Sequence, residues 1–120
     1  MLTRYKKSVK IKYKSKARGL YMNLINSLII EGVVKNEVTL SQTEQGLQFA
    51  KVMVAHERFY KTPEGEEKTE ENLFEVECYG NMAEVVERIT KNKKKIRVVG
   101  RLKQKGEKVV IIAEHCEFKI

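Results

Sequence analysis

Two kinds of side chain in this sequence could act on a flat, negatively charged ligand: aromatic rings held outward on strands, and clustered cations. Tyr79 closes an alternating run, Leu73 to Tyr79, in which Phe74, Val76 and Cys78 share one side and Glu75, Glu77 and Tyr79 the other. Such alternation marks a strand with one buried and one wet face, and it places the Tyr79 ring on the wet face. Tyr60 and Phe59 are adjacent and therefore point oppositely. Parity puts Tyr60 inward with Val52 and Val54 unless a bulge intervenes, and Phe59 is its rival for the outward place. A nucleobase stacked on a rigidly held ring gains about 1–3 kcal/mol, whichever base it is. The cations with the right setting to neutralise phosphates are Lys51, Arg97, Arg101, Lys103 and Lys105. Each such contact on a single strand adds about 0.7 to the slope of log affinity against log salt. Arg97, Val99 and Arg101 share one side of a strand, so if that side is core they cannot all reach a ligand. Glu75 and Glu77 lie beside Tyr79 and would repel phosphate unless cross-strand lysines or arginines mask them. The run Lys93 to Lys95 reads as a solvated turn between helix and strand.

Other chemistries find no support. His56, His115, Cys78 and Cys116 are the only metal-type ligands besides Glu, His115 and Cys116 point to opposite strand faces, and no Cys-x-x-Cys occurs, so no metal site and no cofactor are expected. There is no Asp, no nucleophile beside a base and no phosphate-binding loop, which argues against an enzyme. Two cysteines cannot make a disulfide framework and read as reduced thiols of a cytoplasmic protein. With 120 residues, 42% hydrophobic and without a long apolar run, the chain suits one domain with no membrane span.

The net charge of +8 is unevenly placed. Residues 1–21 hold eight Lys/Arg and no acid, residues 22–90 six against thirteen Glu, and residues 91–120 ten against three. A near-neutral body with a basic last third describes a patch rather than general stickiness. Residues 1–21 are expected to be a basic, solvated N-terminal arm, or else a product of start-site assignment, since Met22 opens a more ordinary beginning. Residues 22–120 form the folded domain.

The elements that must position the rings and cations follow from periodicity. Asn26 to Val34 reads as a first strand, bent at Gly32 and continued by Glu37 to Leu40; Thr43 to Gly46 is a turn; Leu47 to Ala55 is a second strand. Lys61 to Asn72 reads as a polar loop with five Glu against two Lys. The Leu73–Tyr79 strand stops at Gly80. Met82, Val85, Val86 and Ile89 then recur at helical spacing, and Ile96 to Val99 is the next strand. Lys103 to Lys108 is a tight turn before Val109 to Ala113 and Cys116 to Ile120. The expected fold is all-β: a five-stranded OB-fold barrel with one short α-helix between strands 3 and 4.

These pieces resemble the bacterial single-stranded DNA-binding protein family. The likeness is carried by Asn26 to Gly32, Gly46 to Ala55, Phe74 to Glu84 with its aromatic-glycine step before an Ala-Glu helix start, and Ile96 to Leu102, and it covers about residues 24–118. The resemblance implies an OB fold, a homotetramer (with a dimer as the smaller choice), no catalysis, and sequence-nonspecific binding of single-stranded DNA in replication, recombination and repair. It places the protein in the bacterial cytoplasm with the nucleoid, with mitochondrial and phage relatives as other sources. It makes Tyr79 and Tyr60 base-stacking positions and Lys103 and Lys105 basic hairpin positions. The sequence also departs from the family. It has no tryptophan, and Leu73 stands where an aromatic is common. The turn after Gly32 lacks Asp-Pro, and the hairpin around Gly106 is short. The chain stops at Phe118-Lys-Ile120 without the acidic tail that recruits replication proteins. That last departure keeps a tail-less, primosome-type OB adaptor, acting mainly through protein partners, as the alternative.

Overall fold

A computed structural model describes residues 22–119; the basic segment 1–21 and Ile120 lie outside the described residues. Six strands and one helix follow in order: β1 (Leu28–Val34), β2 (Leu40–Gln42), β3 (Gln48–Lys61), β4 (Glu67–Tyr79), α1 (Asn81–Ile89), β5 (Lys95–Lys105) and β6 (Lys108–Lys119). The sheet runs β1-β5-β6-β4-β3-β2, and a further β1–β3 pairing at Val33↔Ala55 and Val34↔Val54 closes five of the strands into a barrel. All neighbours are antiparallel except β4 and β6, which run parallel at Val76↔Ile111 and Glu77↔Ile112.

The helix lies between β4 and β5, one place later than expected, because the first strand is broken. β1 and β2 both lie antiparallel along β3, but after the Lys35 N–H, which donates to the Met53 carbonyl at 2.8 Å, residues 36–39 leave the ladder between them. The Asn36 carboxamide fills that gap: its Nδ2 donates to the Lys51 carbonyl at 3.0 Å and its Oδ1 accepts from the Met53 N–H at 2.8 Å. A side chain that satisfies two backbone groups leaves no trace in hydrophobic periodicity.

Two identical turns build the sheet. In Thr43–Leu47 and again in Thr62–Glu66, the Gly N–H donates to the Thr carbonyl at 2.9 Å and the Thr hydroxyl accepts from the last N–H at 3.1 Å. Gly46 and Gly65 take φ of 85° and 87°, the left-handed region that glycine enters without cost. The second turn converts the expected loop Lys61–Asn72 into a long hairpin. β3 and β4 pair without a bulge from Phe49↔Tyr79 to Lys61↔Glu67, so the ribbon runs well past the barrel.

The core is small and aliphatic. Val52, Val54, Val76, Cys78, Ile96 and Val98 fill it from the strands, and α1 caps it with Ala83 and Val86. Gly32 and Gly100 sit at the barrel's tightest seams. A Cβ on Gly32 would run into the Ala55 carbonyl oxygen, and one on Gly100 into that of Ile112. Gly100 also marks a bulge, where Glu114 is the extra residue between Val99↔His115 and Gly100↔Ala113. Among the described residues no helix is long and apolar enough to cross a membrane.

Candidate nucleic-acid interface

The outer face of the barrel gathers residues that are far apart in sequence. Lys51 lies opposite Glu77, Glu77 opposite Ile112, and Ile112 opposite Arg101, so these four form one cross-strand row over β3, β4, β6 and β5. At about 4.8 Å per strand, the row spans about 14 Å. The next position along the ladder is the Phe49↔Tyr79 pair, whose ring centroids lie 5.1 Å apart, tilted at 46°. Tyr79 is therefore on the outer face, half-buried, with one side against Phe49. Phe49 was not among the expected site residues. Its signal lay in parity with Lys51, since Ala50 and Val52 between and beyond them face the core.

Glu77 departs from expectation. It shares the wet side with Tyr79 but is only 1% exposed. Its carboxylate accepts from the Tyr79 hydroxyl at 2.8 Å and from the Lys105 ammonium at 2.7 Å. Beside it, Val110 and Ile112 on the outward side of β6 are also buried, so strict alternation fails where Lys105 and Lys108 of the β5–β6 hairpin reach the glutamates of β4. Burial alone would push the Glu77 carboxyl up, but the hydrogen bonds from Lys105 and Tyr79 outweigh it and hold the carboxyl below its usual range. The same contacts raise Lys105, chiefly through its hydrogen bond to Glu77. Burial and the bond to Glu77 raise the Tyr79 phenol.

The other cations are also paired. Glu75 receives Lys108 at 3.2 Å and Lys51 at 3.6 Å, so both strand glutamates beside Tyr79 are masked by cross-strand lysines. Arg101 lies 3.8 Å from Glu114. Arg97 does point outward, but it belongs to a different row, with Glu31 on β1 and Glu117 on β6, at 2.6 and 3.2 Å. Lys119 joins Glu31 at 2.9 Å, and hydrogen bonds from Lys119 and Arg97 hold Glu31 low. Of the five expected phosphate partners, Lys103 alone makes no ion pair among the described residues.

Phe59 and Tyr60 lie on the projecting hairpin, not beside Tyr79. The unbroken register keeps Tyr60 on the parity of Val52 and Val54, but the barrel has ended there and parity no longer means burial. Tyr60 is 38% exposed and Phe59 75%. Tyr60 packs under the Arg58 guanidinium, 5.1 Å from its centroid, while Arg58 meets Glu70 at 3.7 Å. Phe59 continues the outer face of Tyr79 and Phe49, about ten residues or 33 Å further along the ribbon. Its neighbours on that side are Glu57, Lys61, Glu67, Thr69 and Glu71. Cys78 is buried and Cys116 half-buried, both free.

Comparison with known proteins places this arrangement. A profile of the single-strand binding protein family matches residues 25–114. Among solved structures, a deletion mutant of the single-stranded DNA-binding protein from Thermus aquaticus matches with a TM-score of 0.67 at 23% identity, over 80% of this chain and 51% of that one. The chain thus spans about half the length of the Thermus protein. A Plasmodium falciparum SSB in complex with single-stranded DNA matches with a TM-score of 0.72 at 16% identity, over 84% of this chain and all of that one. A PriB protein from Ralstonia solanacearum matches with a TM-score of 0.65 at 20% identity, over 79% of this chain and 98% of that one. None of the curated proteins compared with the chain matches it.

Proposed function

The chain belongs to the single-strand binding protein family, and from that premise we infer that it binds single-stranded DNA without reading its sequence and without catalysis, in replication, recombination and repair. The observation that carries this reading is the outer face of β3–β4–β6–β5, where the Tyr79–Phe49 ring pair adjoins a row holding Lys51 and Arg101. Bases stack on Tyr79, with Phe59 further along the ribbon and Tyr60 on its opposite side. Phosphates meet Lys103 first, and Lys51 and Arg101 where they turn from their glutamates. Residues 22–120 are the binding domain, and the basic segment 1–21 adds non-specific affinity. The working unit is a homo-oligomer, a tetramer in the family pattern, in the bacterial cytoplasm. A fluorescent oligonucleotide titrated at several salt concentrations tests the reading. Wild type should prefer the single strand to duplex and weaken with salt, and Tyr79→Ala should lose about 5- to 150-fold, the worth of one stacked base. Equal affinity for duplex and single strand overturns it.

A second reading is supported by the likeness to PriB along nearly the whole of that chain. In this reading the protein is an OB adaptor of the primosome type that works mainly through protein partners. It predicts a dimer and weak DNA binding, so light scattering on the titration sample separates the two.

A further inference from the structure

The buried carboxylate of Glu77 has no part in a simple picture of rings stacking and cations neutralising. We propose that Glu77 is a positioning residue of the interface, one that fixes the Tyr79 ring and withholds the Lys105 ammonium from phosphate. The proposal deepens the single-strand binding reading and rests on it.

An exposed glutamate beside a DNA-binding ring would be solvated, and its ion pair would exchange freely with phosphate. Glu77 is not exposed, and its two hydrogen bonds go to a ring and a cation that the sequence analysis assigns to DNA, Tyr79 and Lys105. If Lys105 turned to a phosphate, it would leave a buried carboxylate with a single neutral donor, the costly half of a broken buried pair. Among the other cations of the face, Lys103 is unpaired among the described residues but acts on Glu77 only through its charge, without a hydrogen bond, and the rest are engaged. Lys51 and Lys108 are engaged with Glu75, and Arg101 lies near Glu114. Lys105 is therefore silent in the salt dependence although it sits beside the stacking ring. Tyr79 gains what Lys105 gives up. Its hydroxyl is tied at 2.8 Å and its ring is braced on Phe49, so little rotamer freedom remains to be lost when a base stacks. The site is weighted towards the bases of an unpaired strand and away from its phosphates.

A salt titration with a dT oligonucleotide on five proteins tests this: wild type, Glu77→Gln, Lys105→Ala, the Glu77→Gln/Lys105→Ala double variant and Tyr79→Phe. Glu77→Gln keeps the shape and removes the charge, so Lys105 is released and the salt slope should steepen by about 0.7. Removing Lys105 should flatten the slope by about 0.7 in the Glu77→Gln background and by clearly less in the unsubstituted chain. Tyr79→Phe, which keeps the ring and loses the tie, should weaken binding about 2- to 10-fold at high salt. Equal flattening by Lys105→Ala in both backgrounds overturns the proposal, as does an unchanged slope in Glu77→Gln. As a further variant, Lys105→Gln removes the charge but still offers Glu77 a donor, so it keeps the test decisive if Glu77→Gln or Lys105→Ala folds poorly: a full flattening of about 0.7 in that single variant also overturns the proposal. Wild type that fails to bind the oligonucleotide at any salt sinks the binding reading instead.

Discussion

The barrel end and the projecting end of the β3–β4 ribbon share two strands and one register, yet they present a ligand with different surfaces. At the barrel end, one side of the ribbon is sealed by the core, and β6 lies against β4. Tyr79 is braced there by Phe49 and Glu77, and the neighbouring carboxylates are matched by Lys51, Lys105 and Lys108. At the projecting end both sides are wet. Phe59 stands unbraced, and Glu57, Glu64, Glu66, Glu67, Glu70 and Glu71 outnumber Arg58, Lys61 and Lys68. On the two-stranded ribbon the masking is partial, with Arg58 covering Tyr60 and meeting Glu70, whereas β5 and β6 bring Lys105 and Lys108 to the carboxylates of the barrel end. The contrast teaches that the surroundings of an aromatic in a strand, not its parity alone, decide how rigidly its ring is held.

Substitutions at two glycines should separate the ends most clearly. Gly32→Val drives a side chain into the Ala55 backbone where β1 and β3 meet at only two pairs. It should cost about 1–3 kcal/mol, towards the upper end because the obstacle is backbone. Gly65→Ala, at φ 87° with open space around it, should cost about 1–2 kcal/mol at most, from the left-handed conformation alone. Urea unfolding of both variants checks the order, and a Gly65 variant less stable than the Gly32 variant would mean that the ribbon's end stabilises the barrel. The next effect is in binding. Phe59→Ala should weaken single-strand affinity less than Tyr79→Ala, about 1 kcal/mol against the full stacking range, because an unbraced ring loses rotamer freedom when it stacks. Equal losses in paired anisotropy titrations would put both ends on one continuous DNA path.

The smallest effect is on the acid side of the stability profile. Glu77 titrates below its ordinary value in the folded protein, so its contribution is fully present above the unfolded carboxylate range. It is lost as pH falls through the lower folded value. Glu77→Gln should therefore flatten the acid limb of unfolding free energy against pH.

Much of the fold was legible because its signals are local. The alternation around Val76 and Cys78, the helical spacing at Val86 and the Thr43–Gly46 turn all appear where read. The same Thr-x-x-Gly pattern at Thr62 to Gly65 announces a hairpin, but its glutamate-rich flanks have the composition of a solvated loop and hide the strands on either side. The break between β1 and β2 was not legible, because the Asn36 side chain stands in for backbone hydrogen bonds.

Alternation, turn chemistry and helical spacing depend on residues within a few positions of one another, so the chain by itself determined that there is a β-barrel, where its helix starts and that Tyr79 looks outward. Which cation meets which carboxylate depends on strands brought together from distant parts of the chain. Only the tertiary structure decided that Lys105 reaches Glu77, that Lys108 and Lys51 share Glu75, and that Arg97 belongs to another row. Charge in the sequence counts ammonium groups; the placement of β3, β5 and β6 around β4 settles which of them are paired with a carboxylate.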